Sequence, residues 1–132
     1  MNLLKKQKIL LKRLFAIPKN KHHMALEVVP ISNKLPPGRC RTIIYAVFDR
    51  GRRLGTAEVE YFQEQQSAII HQIKVEEDVR KQGVASYLVG WIIAHTPYRV
   101  GTLYEYHSAY HFWVKMRNRH GWRMLPAPAM SG

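Results

Sequence analysis

The sequence predicts one α/β domain, α+β in layout, built on a mixed, mostly antiparallel sheet flanked by helices. Three observations lead there. The chain has 132 residues, 46% of them hydrophobic, which suits a single domain with a substantial core. Three β-branched and aromatic runs between residues 42 and 75 have connections too short for crossovers, so they form an antiparallel meander. A long apolar segment over 83–95 then separates two strand candidates, an order that implies a right-handed crossover and a parallel pair.

Residues 3–15 read as a basic amphipathic helix. Leu3, Leu4, Leu10, Leu11, Leu14 and Phe15 follow helical spacing, with Lys5, Lys8 and Lys12 elsewhere on the wheel, and Pro18 stops it. Leu26–Val29 is a short strand, and 30–41 is loop, marked by Pro36-Pro37-Gly38. Thr42–Phe48 reads as a buried strand. The turn lies at 49–52, with Gly51 free to take positive φ. Leu54–Tyr61 alternates, placing Leu54, Thr56, Glu58 and Glu60 on one face and Gly55, Ala57, Val59 and Tyr61 on the other. Ala68–Val75 is the third strand of the meander. The helix over 83–95 is apolar almost all round, so it should be buried on more than one side. Arg99–Tyr104 is the next strand, and Ser108–Arg119 a second helix ended by Gly121-Trp122. The divisions are thus 1–23 (helix and linker), 24–125 (domain) and 126–132 (tail).

The net charge of +12 is unevenly spread. Residues 1–23 carry seven cations and no acid, residues 24–106 ten cations and nine acids, and residues 107–132 four cations and no acid. The balanced middle weakens the reading of a protein that coats nucleic acid over its whole surface. A lone Cys40 excludes an internal disulfide framework and a Cys-rich zinc site, in keeping with a reducing, cytoplasmic setting. The longest apolar run, Val84–Ala94, has eleven residues, short of the roughly 20 a membrane span needs. His107 and His111 have helical ligand spacing, but no nearby carboxylate or Cys completes a site, so no metal is expected.

The segment that carries chemistry runs from the strand ending Ile73-Lys74-Val75 through Arg80-Lys81-Gln82-Gly83-Val84-Ala85-Ser86 into the apolar helix. The first N–H groups of a helix lack intrahelical acceptors and lie at the positive end of its dipole. A strand feeding such a terminus through glycine is suited to a phosphate or pyrophosphate. Gly83 and Ala85 let an anion approach the backbone, and Arg80 adds charge. The plainer reading is a tight strand-to-helix turn with a solvated arginine.

This R-x-x-G-x-A loop, set between strand and helix, resembles the acetyl-CoA-binding motif of the GNAT superfamily of N-acetyltransferases. The stretch Ala109-Tyr110-His111-Phe112-Trp113-Val114-Lys115, ending at Gly121-Trp122, resembles that family's last helix. The likeness covers residues 42–124. It implies that acetyl-CoA lies in a gap between the strands Ala68–Val75 and Arg99–Tyr104. The backbone of Ile73 to Val75 would pair with its pantetheine arm. Its pyrophosphate would sit on the loop amides of Gln82, Gly83, Val84, Ala85 and Ser86, with Arg80 and Lys81 nearby. The acetyl group would pass directly to a primary amine, with neither metal nor covalent enzyme intermediate. The chain departs from the family at four places, one of them the spacing from Trp113 to Gly121, about one helical turn longer than usual. Trp113 stands where a tyrosine acid is common, Ile69 stands where a glutamate is common, and residues 30–41 are too short for the family's two usual helices.

For a general base, symmetric closure of the loop at 62–67 puts Glu58 across from His71, a carboxylate able to orient an imidazole. A one-residue slip would separate them. Tyr110, one helical turn before Trp113, is the candidate acid, with Tyr104 and Tyr106 nearby. The expected function is therefore acetyl-CoA-dependent N-acetylation of an amine acceptor, its open, basic side suiting a large or anionic acceptor. The alternative is a non-catalytic module of the same fold that binds nucleic acid or another anionic surface. The N-terminal helix is open to three roles: packing on the body or on a second copy in a homodimer, lying on a membrane surface, or holding an acidic partner.

Overall fold

The computed structural model describes residues 25–34 and 40–128. The N-terminal helix expected over 3–15 lies outside them. Five strands form one sheet in the order β1-β2-β3-β4-β5: β1 (Leu26–Lys34), β2 (Arg41–Asp49), β3 (Arg52–Phe62), β4 (Ser67–Val75) and β5 (Arg99–Thr102). The first four are an antiparallel meander, and β5 adds parallel to β4. The described residues therefore form a small mixed α/β domain with two α-helices, α1 (Val84–Ala94) and α2 (Tyr110–His120).

The turns follow from their residues. Arg50 and Gly51 both take positive φ (50° and 86°), the two-residue hairpin geometry whose twist matches the flanking strands. β1 is longer than the sequence suggests. Pro30 would end a central strand, but β1 is an edge, and a register shift between Pro30 and Ser32 carries it on to Lys34. β5 is shorter than expected, ending at Thr102 rather than Tyr104.

Register places Ile43, Tyr45, Val47, Ala57, Val59, Ala68 and Ile70 on one face, all buried. They join Val84, Leu88, Val89, Ile92 and Ile93 of α1 and Trp113 and Met116 of α2 in one cluster. Trp91 of α1 packs on Tyr45 at 5.1 Å between ring centroids, which fixes α1 on that face. Only Ala94 of α1 is exposed, as its all-round apolar character requires. The opposite face is mixed: Thr42 lies beside Glu60, Glu58 beside Gln72 and Thr56 beside Lys74, with Ile44, Ala46 and Ile69 among them. Leu54 escapes this pattern. It is the extra residue at a bulge opposite Val47 and Phe48, and it turns inward. Among the described residues no helix is long and apolar enough to cross a membrane.

Candidate functional site

The two parallel strands pair only from Ser67↔Arg99 to Ile70↔Thr102. The last rung is the bond from Leu103 N–H to the Ile70 carbonyl, 3.0 Å. Beyond it β4 continues five residues without a neighbour on that side. The Glu76 N–H donates to the Leu54 carbonyl at 2.8 Å, so Val75 and Gly55 are a non-hydrogen-bonded pair. Alternation then turns the backbone groups of Lys74 toward β3 and those of Ile73 and Val75 toward the open edge. Unpaired strand edges of this kind accept another extended chain.

A salt bridge and hydrogen bonds hold the splay open. Glu105, on the segment leaving β5, accepts from Thr102 Oγ1 (2.7 Å) and is gripped by both terminal nitrogens of Arg117 on α2. Arg117 Nε also donates to the Leu125 carbonyl at 3.0 Å. Burial pushes the Glu105 carboxyl up, but the bonds from Arg117 and Thr102 outweigh it and hold it below its ordinary value.

The open edge runs into the loop of residues 76–83. A single 3₁₀ turn, Glu77–Val79, plants Val79 in the core. Arg52 grips Asp78 with bonds of 2.6 and 2.8 Å, and Arg80 Nε donates to the Val75 carbonyl at 3.2 Å. Lys81 (φ 64°) and Gly83 (φ 86°) then take left-handed conformations that turn the chain into α1. For Lys81 this costs on the order of 1 kcal/mol, whereas Gly83 adopts it without a Cβ clash. The first helical bond is from Tyr87 N–H to the Gly83 carbonyl, 2.9 Å, and no side chain caps the helix. The N–H groups of Val84, Ala85 and Ser86 therefore have no acceptor among the described residues.

Edge, loop and helix terminus line one groove of about 1260 Å³. That exceeds the ≈ 300–1,000 Å³ of drug-sized sites and suits a long ligand. Of the residues singled out from sequence, the groove brings together His71, Ile73, Val75, Arg80, Lys81, Gly83, Val84, Ala85 and Ser86. Gln82 turns back to the Asp78 carbonyl (3.3 Å) and lies outside the lining. Tyr110 is 56% exposed and also outside it. Tyr104, Tyr106 and Phe112 form the wall on that side, with Trp113 buried among them.

The pairing of Glu58 with His71 is corrected by the register. Glu58 lies opposite Gln72, and a bulge between Glu58 and Val59 follows. His71 Nε2 instead contacts Glu60 Oε1 at 2.8 Å. A bulge needs one extra residue, and nothing in the alternation of residues 67–75 announces where it falls. Among the described residues no three His, Cys, Asp or Glu side chains are grouped to hold a metal. Compared with protein-family models and with curated proteins, the sequence matches none.

Proposed function

We propose that the protein is an N-acetyltransferase of the GNAT type, passing the acetyl group of acetyl-CoA directly to a primary amine. One observation carries this reading: the β4 edge leads through the loop to a left-handed turn and three helix N–H groups with no acceptor among the described residues. An extended amide chain ending in a pyrophosphate matches that surface piece by piece. The N–H and C=O groups at Ile73 and the N–H of Val75, whose carbonyl accepts from Arg80, suit the pantetheine amides. The amides of Val84, Ala85 and Ser86 suit the pyrophosphate, with Arg80 and Lys81 supplying charge. The exposed Arg53 and Lys74 extend the positive rim. The bound thioester supplies the activated acyl group, and the chain binds, orients and deprotonates around it. Trp113 has no acidic proton to give a leaving thiolate, so tyrosines of the groove wall or solvent serve that step.

Thermal unfolding with and without acetyl-CoA tests the reading. Ligand at 100 times its Kd stabilises by about 2.7 kcal/mol, readily seen as a rise in Tm. Gly83→Glu combines a strained positive φ with a carboxylate facing the pyrophosphate and should abolish the shift. No shift in the wild type refutes the function. A steeply salt-dependent affinity for nucleic acid in its place would favour the non-catalytic alternative.

A further inference from the structure

We propose that His71 is the base that takes the proton from the acceptor ammonium, and that Glu60 is the residue that positions it. The assignment rests on the acyl-transfer reading above. It starts from the bulge. If the pairing of Glu58 with Gln72 ran on regularly, Val59 would face His71 and Glu60 would face Ile70. That register puts an imidazole on the buried face and an isoleucine on the polar one. The bulge takes the imidazole off the buried face and leaves Ile69 in place of Ile70 opposite Glu60. Val59 pairs with Ile70, both buried, and His71 is the extra residue with no partner on β3.

The bulge lies immediately after the last rung joining β4 to β5, the point where the two strands part. His71 therefore lines the groove at its inner end, while the anion loop lies at the other. A thioester extended along β4 from the loop would bring its acyl carbon toward this inner end. The side chains of His71 and Glu60 are 29% and 23% exposed, open enough to exchange a proton yet held by surrounding structure.

The contact from His71 Nε2 to Glu60 Oε1 fixes the chemistry of the ring. A carboxylate only accepts, so Nε2 carries the hydrogen, and in the neutral ring Nδ1 keeps its lone pair. Nδ1 has no partner among the described residues. It takes the proton of the acceptor ammonium, and Glu60 stabilises the imidazolium that forms. The freed amine lone pair makes the new C–N bond to the acyl carbon, the C–S bond breaks, and the electron pair leaves on the thiolate. The nitrogen gives up a second proton as the amide forms and the thiolate takes up one, so the proton held by His71 passes to solvent and one proton is released per turnover.

Two measurements on the full chain test this. In the first, histidine ¹⁵N NMR of the free protein should show His71 as the Nε2–H tautomer, a preference lost in Glu60→Ala and weakened in Glu60→Gln. In the second, thiol release from acetyl-CoA is followed with ethylamine, protonated near neutrality, and with trifluoroethylamine, mostly neutral there. His71→Gln should lower turnover with ethylamine by about 100-fold or more. It should change turnover with trifluoroethylamine only a few-fold and leave the acetyl-CoA thermal shift intact. Glu60→Gln should lower kcat with ethylamine and leave KM for acetyl-CoA unchanged. An Nδ1–H tautomer in the wild type, or equal losses with both amines, overturns the proposal. A wild type that binds no acetyl-CoA overturns the acyl-transfer reading instead, and the tautomer still reads the pair.

Discussion

Replacing Arg117 by alanine should unlock the splay between β4 and β5. The guanidinium makes two contacts to Glu105 and one to the Leu125 carbonyl, and the Glu105 side chain is only 8% exposed. Removing one partner of a buried pair leaves the other charge stranded, at a cost of 3–5 kcal/mol. Arg117 is itself 21% exposed, so water partly fills the gap and the low end, about 3 kcal/mol, applies. For a domain of this size that is a fall in Tm of roughly 10 °C. The sign of the pH dependence should also change. In the wild type Glu105 is held below its ordinary value, so its contribution is present above about pH 4.3 and lost as pH falls further. In Arg117→Ala burial acts without its counterweight and raises that carboxyl, so acid should relieve part of the defect. Thermal unfolding of Arg117→Ala, Glu105→Gln and the double variant at pH 7 and pH 5 measures both effects. The double variant should be more stable than Arg117→Ala, because no stranded charge remains. A Tm change under 2 °C, or a double variant no better than the single one, refutes this account.

Two glycines separate steric constraint by what surrounds them. A Cβ at Gly55 would lie 2.6 Å from the Lys74 carbonyl, a backbone atom across the β3–β4 ladder. Gly55→Ala should therefore destabilise by about 2 kcal/mol and disturb the groove edge. At Gly101 the nearest atoms are the movable ends of Leu125 (2.9 Å) and Ile69 (3.2 Å) and Leu125 Cβ (3.2 Å), none of them backbone, so Gly101→Ala should cost less than Gly55→Ala, about 1 kcal/mol. Urea titrations of both variants check the order, and the reverse ranking would refute the steric argument. His120 gives a pH prediction. Burial, then Arg119 and Arg123, push its pKa down, and its Nε2 is buried with no partner among the described residues. The unfolded chain thus takes up this proton first, so the contribution is present above about pH 6.5 and is lost as pH falls below it. His120→Gln should lose less stability than the wild type between pH 7.5 and pH 5.5, and equal losses would refute the assignment.

How much was legible from sequence depended on whether one local pattern decided the outcome. Alternation along β2 and β3 and the all-round apolar α1 did so, because burial of one face or of a whole helix leaves a periodic trace. The strand-loop-helix junction was legible for the same reason, since a glycine between a buried strand and a buried helix has few alternatives. Bulges leave no such trace. One at Ile31 carried β1 past Pro30, one at Leu54 turned an apparently outward residue inward, and one at His71 exchanged Glu58 for Glu60. Each is decided by which side chains fit across two strands, which is not a property of either strand alone. The wall made by Tyr104, Tyr106 and Phe112 depended likewise on β5 stopping at Thr102, where the bond to Glu105 draws the chain away.

Charge shows the same gap between counting residues and knowing their partners. The cations after residue 106 read from sequence as a basic patch facing the acceptor, yet two of the four are turned inward. Arg117 is bound to Glu105, and Arg123 donates to the Ile93, Thr96 and Tyr98 carbonyls at the end of α1. Arg99 does similar work, stacking on Trp122 and donating to the Trp122 and Met124 carbonyls. Together these three arginines tie residues 121–125 to the body, so a large share of the terminal charge is structural. The cations that line the groove, Arg53, Lys74, Arg80 and Lys81, cluster where β4 meets the loop. Toward the other end, the polar face of β3 carries Glu58 and Glu60. Glu76 and Glu77 line the groove beside those cations, so the end that suits a polyanionic donor carries four cations against two acids. An anionic acceptor would have to be drawn by Lys115 and Arg119, the exposed cations left on α2, against two carboxylates on the neighbouring sheet face.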